Sequence, residues 1–159
     1  MYETLVRFVE TEIGCFDRAL QTGHVTGSAW IIDRARSSVL LTHHFKLDRW
    51  LQLGGHADGD PDILRVAMRE AREESGIEDI QPLSEAIFDV DVHPIPARGM
   101  EPRHFHYDVR FLLEADADAP LVISGESKGL AWVPMADIAQ FTAEQSIARM
   151  AAKSTAWTC

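Results

Sequence analysis

Residues 54–77 decide the fold of this chain, and they read G-G-H-A-D-G-D-P-D-I-L-R-V-A-M-R-E-A-R-E-E-S-G-I. The pattern predicts a helix over about Asp62–Ser75. Asp60 is a suitable N-cap, Pro61 fits a first helical turn, and Gly76 suits the left-handed residue that ends a helix. The apolar positions at helical spacing predict a buried stripe: Leu64, Ala67, Met68 and Ala71.

Three glutamates, Glu70, Glu73 and Glu74, lie beside this stripe and span about 100° of the helix surface. They occupy the end of the helix, where the macrodipole disfavours negative charge. One explanation would be an ordinary solvated helix face, whose negative charge Arg69 and Arg72 partly offset. Their position at the unfavourable end, after a Gly-Gly turn, instead favours a hard-oxygen site for Mg²⁺ or Mn²⁺.

The charge of the chain is strongly acidic. Its 159 residues include 25 acids and 15 bases, which gives a formal net charge of −10, and residues 58–91 hold most of the excess. This balance argues against binding to nucleic-acid polymers or to an anionic membrane surface. Apart from the three glutamates, we expect five acids of this window to be solvated surface: Glu78, Asp79, Glu85, Asp89 and Asp91.

Alternating strand-like and helical patterns predict an α/β fold with a mixed sheet between helices, formed by residues 1–159 as one domain. The first helix is expected at about 3–22. The expected strands cover 25–33, 38–43, 50–53, 86–93, 104–113 and 130–133, and further helices begin at 135 and cover 143–153.

Two cysteines, Cys15 and Cys159, give neither a disulfide framework nor zinc-ligand spacing. The first residues mix acids with apolar side chains, which is not typical of a signal peptide, and no apolar run is long enough to span a membrane. A cytoplasmic location is therefore expected.

The segment R-E-A-R-E-E-S-G-I at 69–77, at an unbroken distance from Gly55, resembles the Nudix box, G-x5-E-x7-R-E-U-x-E-E-x-G-U, where U is apolar. The residues at 131–138 resemble a late strand-to-helix turn of the same family. The resemblance implies a Nudix-type α/β/α sandwich with a central mixed β-sheet. One position departs, because Pro61 replaces the first glutamate of the box, and Asp60 or Asp62 could substitute for it.

The resemblance also implies an activity: Mg²⁺-dependent hydrolysis of a phosphoanhydride bond in a nucleoside diphosphate linked to another moiety, such as ADP-ribose, or in a nucleoside triphosphate. Mn²⁺ is a potential substitute for Mg²⁺. Arg69 would hold the glutamates in place, and the general base is left open between Glu126 and Glu73. The implied metal ligands are Glu70, Glu74, Glu73 and the Gly54 carbonyl.

Substrate contacts are expected from residues near the Gly-Gly turn and beyond the box. His56 follows Gly55 directly and should lie near the phosphates, and Trp50 could stack on a base. The cationic candidates are Lys46 and Arg103. A polar group around 93–108 includes His93, His104 and His106; a zinc site there is conceivable, but one face of an exposed strand would give the same pattern, and the strand is favoured.

Two functions of other classes remain as alternatives. The first is a non-catalytic Nudix-like sensor that binds a nucleotide, which intact Glu70, Glu73 and Glu74 disfavour. The second is an isomerase on the same scaffold, which would need a reactive cysteine near the site. The expected partner is a small-molecule nucleotide substrate, and the family resemblance suggests a homodimer.

Overall fold

The computed structural model describes residues 1–157. Its helices are α1 (Tyr2–Thr11), α2 (Ile63–Ser75), α3 (Ile138–Phe141) and α4 (Gln145–Ala156). Its strands are β1 (Gly23–Asp33), β2 (Ser38–His44), β3 (Arg49–Leu51), β4 (Leu53–His56), β5 (Ile80–Pro82), β6 (Asp89–Ile95), β7 (His104–Ala115) and β8 (Ser127–Pro134). A 3-10 turn, Met135–Asp137, leads from β8 into α3, as the late strand-to-helix pattern predicted.

One mixed sheet of eight strands organises the structure. β1 and β7 pair in parallel from Gly23 opposite Phe105 to Asp33 opposite Ala115. The remaining pairs are antiparallel, with β2 and β4 beside β1, β5 and β6 beside β7, and β3 and β8 beside β2. The predicted α/β class is therefore confirmed.

Helices cover both faces of β1. On one face Ile31 packs in a core with Ala71 of α2. On the other face Trp30 packs with Met150 of α4, and its indole N–H donates to Ser154 Oγ at 2.6 Å. Coverage on both faces explains why β1 is buried along its whole length, and its residues 29–32 are apolar on both faces. None of the helices within residues 1–157 is both long enough and apolar enough to cross a membrane.

The N-terminal helix is shorter than predicted, because it ends at Thr11 instead of near residue 22. Gly14 adopts a φ of 81°, and the Asp17 side chain accepts a hydrogen bond from the backbone amide two residues on. Both features favour turns over helix. Phe16 and Leu20 still pack against the core. Their helical spacing therefore reflects shared burial and not a continuous helix.

The start of α2 also differs from the prediction. Asp62, not Asp60, is the N-cap, and its carboxylate accepts a hydrogen bond from the Arg65 amide at 3.1 Å. Asp60 instead binds the Arg65 guanidinium at 2.6 and 2.8 Å. The end of the helix is confirmed, with Gly76 left-handed at a φ of 75°.

The buried stripe of α2 is rotated from the predicted one, since Leu64 and Met68 are only half-buried. The absence of a side chain at Gly27 brings β1 close to α2, so a β-carbon there would lie 3.0 Å from Val66. The helix therefore turns a different line of residues inward. Its buried residues are Val66, Ala67, Ala71, Glu74 and Ser75. Glu74 thus continues the buried stripe instead of standing beside it.

The interpretation of Asp89 and Asp91 as solvated surface is wrong, whereas Glu78, Asp79 and Glu85 are exposed as expected. Asp89 is 4% exposed. Arg149 of α4 donates to Asp89 at 2.7 Å and to Asp91 at 3.1 Å, and Lys153 also binds Asp89. The buried Arg110 of β7 lies 3.4 Å from Asp89. These ion pairs fasten α4 to the sheet.

Most of the polar face of β7 is buried as well, and not exposed as expected. Asp108 is 3% exposed and accepts hydrogen bonds from Thr26 at 2.9 Å and Ser28 at 2.7 Å. Arg110 donates to the same carboxylate at 2.7 Å. β7 lies inside the sheet between β1 and β6, so its polar residues need partners within the protein.

We expect Asp89→Asn to destabilise the protein by about 3 kcal/mol, because it removes a buried carboxylate that pairs with Arg110, Arg149 and Lys153. Burial raises the pKa of Asp89, but hydrogen bonds from Arg149 and Lys153 lower it further, so it lies below the ordinary value. The stability that the Asp89 carboxylate contributes to the wild type is therefore present above about pH 4, and it disappears as the pH falls through the folded-state pKa. Urea unfolding at pH 7 and in acid measures both effects, with exposed Asp79→Asn as the control. Equal stability of the two variants at pH 7 would contradict this assignment.

Candidate active site

A cleft of about 650 Å³ lies where α2, the end of β4 and the segment between β6 and β7 meet. Six of the residues predicted for the site line it: Lys46, His56, Arg69, Glu70, Glu73 and Glu126. The topology explains this convergence, because β4 pairs with β1 and α2 packs on β1 and β4. The segment after β6 adds Pro96, Arg98 and Glu101 to the lining.

Glu74 lies beneath the cleft and not in its wall. Its side chain is 7% exposed and accepts a hydrogen bond from the Gly54 amide at 2.9 Å. Burial raises the pKa of Glu74 to about 7, and the negative charges of Glu70, Glu126 and Glu73 add to this increase. The fold therefore holds a carboxylate in a place where its charge is costly.

Glu70 reaches the cleft because Gly55 has no side chain. A β-carbon at Gly55 would lie 2.5 Å from the Glu70 carboxyl carbon, which is closer than non-bonded atoms approach. Arg69 donates to Glu70 at 2.7 Å and to the His56 carbonyl at 2.9 Å, so it links the helix to β4. Burial raises the pKa of Glu70, and Arg69 opposes this shift.

Within the described residues, Arg69 hydrogen-bonds only Glu70 and the His56 carbonyl. The i, i+4 pair with Glu73 is not formed, since Glu73 interacts with Arg69 only at longer range. Neither Asp60 nor Asp62 hydrogen-bonds Arg69, because both bind Arg65. The arginine is held by its neighbour in sequence and by a backbone carbonyl.

Glu73 and Glu126 are exposed side chains on the wall of the cleft. Glu126 lies in the turn before β8, and its carbonyl accepts a hydrogen bond from the Phe45 amide at 2.8 Å. Its negative charge raises the pKa of both Glu70 and Glu74. Residues from two distant parts of the chain thus form one acidic wall.

The donor set fits a divalent cation of the hard class. Carboxylate oxygens are the ligands that Mg²⁺ prefers, and within the described residues Glu74 forms no ion pair with a protein cation. In residues 1–157 the three box glutamates do not come together as a tight cluster of ligand atoms. Any ion held there would draw their carboxylates closer.

Two cations on the wall of the cleft have no acidic partner within the described residues: Lys46, which was predicted, and Arg98, which was not. Arg98 lies between β6 and β7, and only the three-dimensional path of the chain brings it to the site. Arg18 also lines the cleft, but it is paired with Asp58 at 2.6 Å.

Two predicted substrate contacts are not brought to the cleft. Trp50 stacks on His43 at a ring-centroid distance of 5.0 Å and meets Phe141 at 5.4 Å, on another part of the surface. Arg103 is exposed and does not line the cleft. Cys15 is a buried free thiol in the core, and Cys159 lies outside the described residues.

Comparison with known proteins agrees with this architecture. Residues 22–154 match the NUDIX domain. No curated protein sequence matches the chain significantly. Among solved structures, the Ap4A hydrolase of C. elegans in a binary complex is similar with a TM-score of 0.68 and 18% identity, over 84% of this chain and 96% of that one.

Two further structures share the fold. The E. coli dihydroneopterin triphosphate pyrophosphohydrolase has a TM-score of 0.62 and 17% identity, over 80% of this chain and 91% of that one. The NUDIX domain of Shewanella oneidensis NrtR, complexed with ADP ribose, has a TM-score of 0.63 and 15% identity, over 97% and 98%. The chain therefore belongs to the NUDIX family, and family and fold together support its assignment as a pyrophosphohydrolase.

Proposed function

We propose that this protein hydrolyses a phosphoanhydride bond of a nucleoside diphosphate derivative in a reaction that requires Mg²⁺. The observation that carries the proposal is one cleft lined both by Glu70, Glu73 and Glu126 and by the unpaired cations Lys46 and Arg98. In such a cleft, different residues can bind a cation and the substrate. Its acidic wall suits a divalent cation, and its basic residues suit the anionic phosphates of a substrate.

Glu70, Glu73 and Glu74 are the proposed ligands, with the Gly54 carbonyl as a further one. When bound, Mg²⁺ supplies Lewis-acid chemistry, because it offsets the charge of the phosphates and polarises a phosphoryl oxygen. The protein holds the ligand carboxylates in position. Arg69 fixes the Glu70 carboxylate, and the Gly54 amide orients that of Glu74.

Glu126 is our proposed general base, with Glu73 as the alternative. Both carboxylates line the cleft, so each can accept a proton from a water molecule that attacks phosphorus. Glu126 has no cationic partner within the described residues, and it lies in the turn before β8, on a separate segment of the chain from α2. That position leaves it free of the helix that carries the proposed ligands.

The phosphates are proposed to lie between Lys46 and Arg98, with His56 at the base of the cleft. An ammonium and a guanidinium both bind phosphate oxygens strongly. The class of substrate follows from the family, whose members with this fold include an Ap4A hydrolase and a domain complexed with ADP ribose. We therefore propose ADP-ribose, a dinucleoside polyphosphate or a nucleoside triphosphate as the substrate class.

With Mg²⁺, the purified protein is expected to cleave at least one compound in a panel of ADP-ribose, diadenosine polyphosphates and nucleoside triphosphates. Chelation of the cation should abolish turnover, and Mn²⁺ should restore it. Release of phosphate-containing products is measured by chromatography. In the same assay Glu126→Gln should slow turnover more than Glu73→Gln does.

Binding of a panel compound without any turnover would contradict the hydrolase proposal and favour a nucleotide sensor. Turnover of Glu126→Gln equal to that of the wild type would exclude Glu126 as the general base and leave Glu73, the alternative. Activity that persists in a chelator would exclude the proposed metal requirement.

A further inference from the structure

Three histidines from three neighbouring strands meet on one face of the sheet. His24 of β1 lies directly opposite His106 of β7 in the parallel pair. His56 of β4 lies opposite Thr26, two residues along β1, so its side chain is on the same face as that of His24. This is the face of the sheet away from α2 and from the box glutamates that α2 carries.

The rings are close enough to share one ligand. The centroid of His24 is 5.0 Å from that of His56 and 4.8 Å from that of His106, and the last two are 5.3 Å apart. One nitrogen from each ring lies within 4.8 Å of the others. Within residues 1–157 no other group of three such residues brings its ligand atoms so close.

His24 is the buried member of the group, at 2% exposure. Neither of its ring nitrogens has a hydrogen-bond partner of ordinary geometry, although the Leu20 backbone acts on the ring and by itself would raise its pKa. A buried polar atom without a partner costs about 1–3 kcal/mol. A polar side chain kept at this cost, with its ring facing two other imidazoles, points to a ligand shared by all three.

A fourth histidine supports the same site from its edge. The Nδ1 atom of His104 lies 2.9 Å from the Pro102 carbonyl, and a ring N–H there leaves Nε2 as the nitrogen with the lone pair. That Nε2 atom is 3.3 Å from His106 Nε2. A proton on His106 Nε2 would be donated to His104, and an outer hydrogen bond of this kind fixes the ring of a ligating histidine.

We propose that His24, His56 and His106 form a second metal site, separate from the carboxylates of α2, that binds a transition ion of the Zn²⁺ class. Neutral imidazole is a ligand for Zn²⁺ and related ions, whereas Mg²⁺ prefers oxygen. Three protein ligands leave a fourth tetrahedral position open. His56 and His106 line the cleft, so this position faces the place proposed for the phosphates.

The rearrangement required is small. Tetrahedral Zn–N bonds of about 2 Å place the ligand nitrogens about 3.3 Å apart, so nitrogens within 4.8 Å must approach by about 1.5 Å at most. Rotation of the half-buried His56 and His106 rings about their side-chain bonds covers this distance. The backbone of the three strands, which is fixed by their pairing, need not move.

The competing explanation is a stack of histidines joined only by the contact between His104 and His106. In that case an added ion would bind no better than at scattered surface histidines. The two explanations differ in the number of ions bound, in the residues required and in whether Mg²⁺ competes.

The decisive experiment titrates the metal-free full chain with Zn²⁺ in a large excess of Mg²⁺ by calorimetry, and counts the retained ions by elemental analysis. We expect one Zn²⁺ per chain, and an affinity at least about 100-fold lower in His24→Gln and His106→Gln, as loss of a direct ligand exceeds the effect of outer-shell changes. His43→Gln is the matched control, because His43 stacks on Trp50 away from the cluster. Glu74→Gln should also retain the ion.

X-ray absorption of the wild-type complex provides a readout that does not depend on the folding of a variant, and it should show three imidazole ligands. Circular dichroism and thermal unfolding verify the fold of each variant. Failure of the wild type to retain one Zn²⁺ in Mg²⁺, an oxygen-only ligand shell, or binding by His24→Gln and His106→Gln equal to that of His43→Gln would overturn the proposal. None of these results depends on hydrolysis of a nucleotide.

Discussion

Glu74→Gln is expected to lower the Mg²⁺-dependent turnover at least about 100-fold, because loss of a metal ligand removes several kcal/mol of transition-state stabilisation. The amide has the same shape as the carboxylate, and its oxygen can still accept the hydrogen bond that the Gly54 amide now donates to Glu74. The overall fold should therefore survive. Steady-state kinetics with the best panel substrate measures the change.

Although its turnover should fall, the free energy of unfolding of Glu74→Gln at pH 8 should be higher than that of the wild type. The pKa of Glu74 is raised to about 7 by burial, so the folded protein holds a proton that the unfolded chain releases. The free energy of unfolding of the metal-free wild type should thus fall as the pH rises from about 4.5 to 7, by a Glu74 contribution on the order of 3 kcal/mol. Glu74→Gln removes that contribution, and urea unfolding at pH 8 should show a more stable protein.

Glu78→Gln is the matched control, because Glu78 carries the same charge just beyond α2 but is exposed. It should change neither turnover nor the pH dependence of stability appreciably. Unchanged turnover in Glu74→Gln would remove Glu74 from the proposed metal site. A loss of turnover together with unfolding would instead indicate a structural role for its carboxylate.

Gly55→Ala should also lower turnover by about 100-fold, although it adds only a methyl group. The β-carbon would overlap the carboxyl group of Glu70, and that flexible end can move away while the backbone stays in place. Glu70 would then lose its contact with Arg69 and its place in the cleft, which has the same effect as the loss of a ligand. Thermal unfolding should show little change, and kinetics should show the full loss.

Gly129→Ala provides the control for this substitution. Gly129 lies in β8, and its nearest neighbour to an added β-carbon is Trp50 at 3.9 Å, an ordinary contact. Turnover of this variant should resemble that of the wild type. If Gly55→Ala also retains full turnover, Glu70 is not required in its present position, and the ligand set proposed here is wrong.

The amino-acid sequence by itself determined the elements with strong local signals. The box at 69–77 predicted the end of α2 at Gly76 and the family, and both are confirmed. The strand expected at 50–53 is instead divided between β3 and β4, and β5 was not predicted. Spacing along a single helix is a local property, so it can be read without knowledge of neighbouring strands. The roles of Glu70, Glu73, Glu74 and Glu126, the Mg²⁺ requirement, the single domain and a homodimer remain predictions.

Only the tertiary structure decided which polar residues are buried and which lie in the cleft. Asp89 and Asp91 have the composition of solvated surface, but α4 covers them with cations from about 60 residues away. Trp50 is adjacent to the Gly-Gly turn in sequence and yet points elsewhere, because β3 pairs with β2 and not with β1. Strand order determined these contacts.

The histidines show most clearly that the sequence alone does not predict contacts between strands. His24, His56 and His106 have no common spacing, and they meet only because β4 and β7 both pair with β1 in registers that put the three side chains on one face. A linear pattern records which residues share a helix or a strand. It does not record which strands become neighbours, since long-range hydrogen bonding and packing of the whole chain fix that choice.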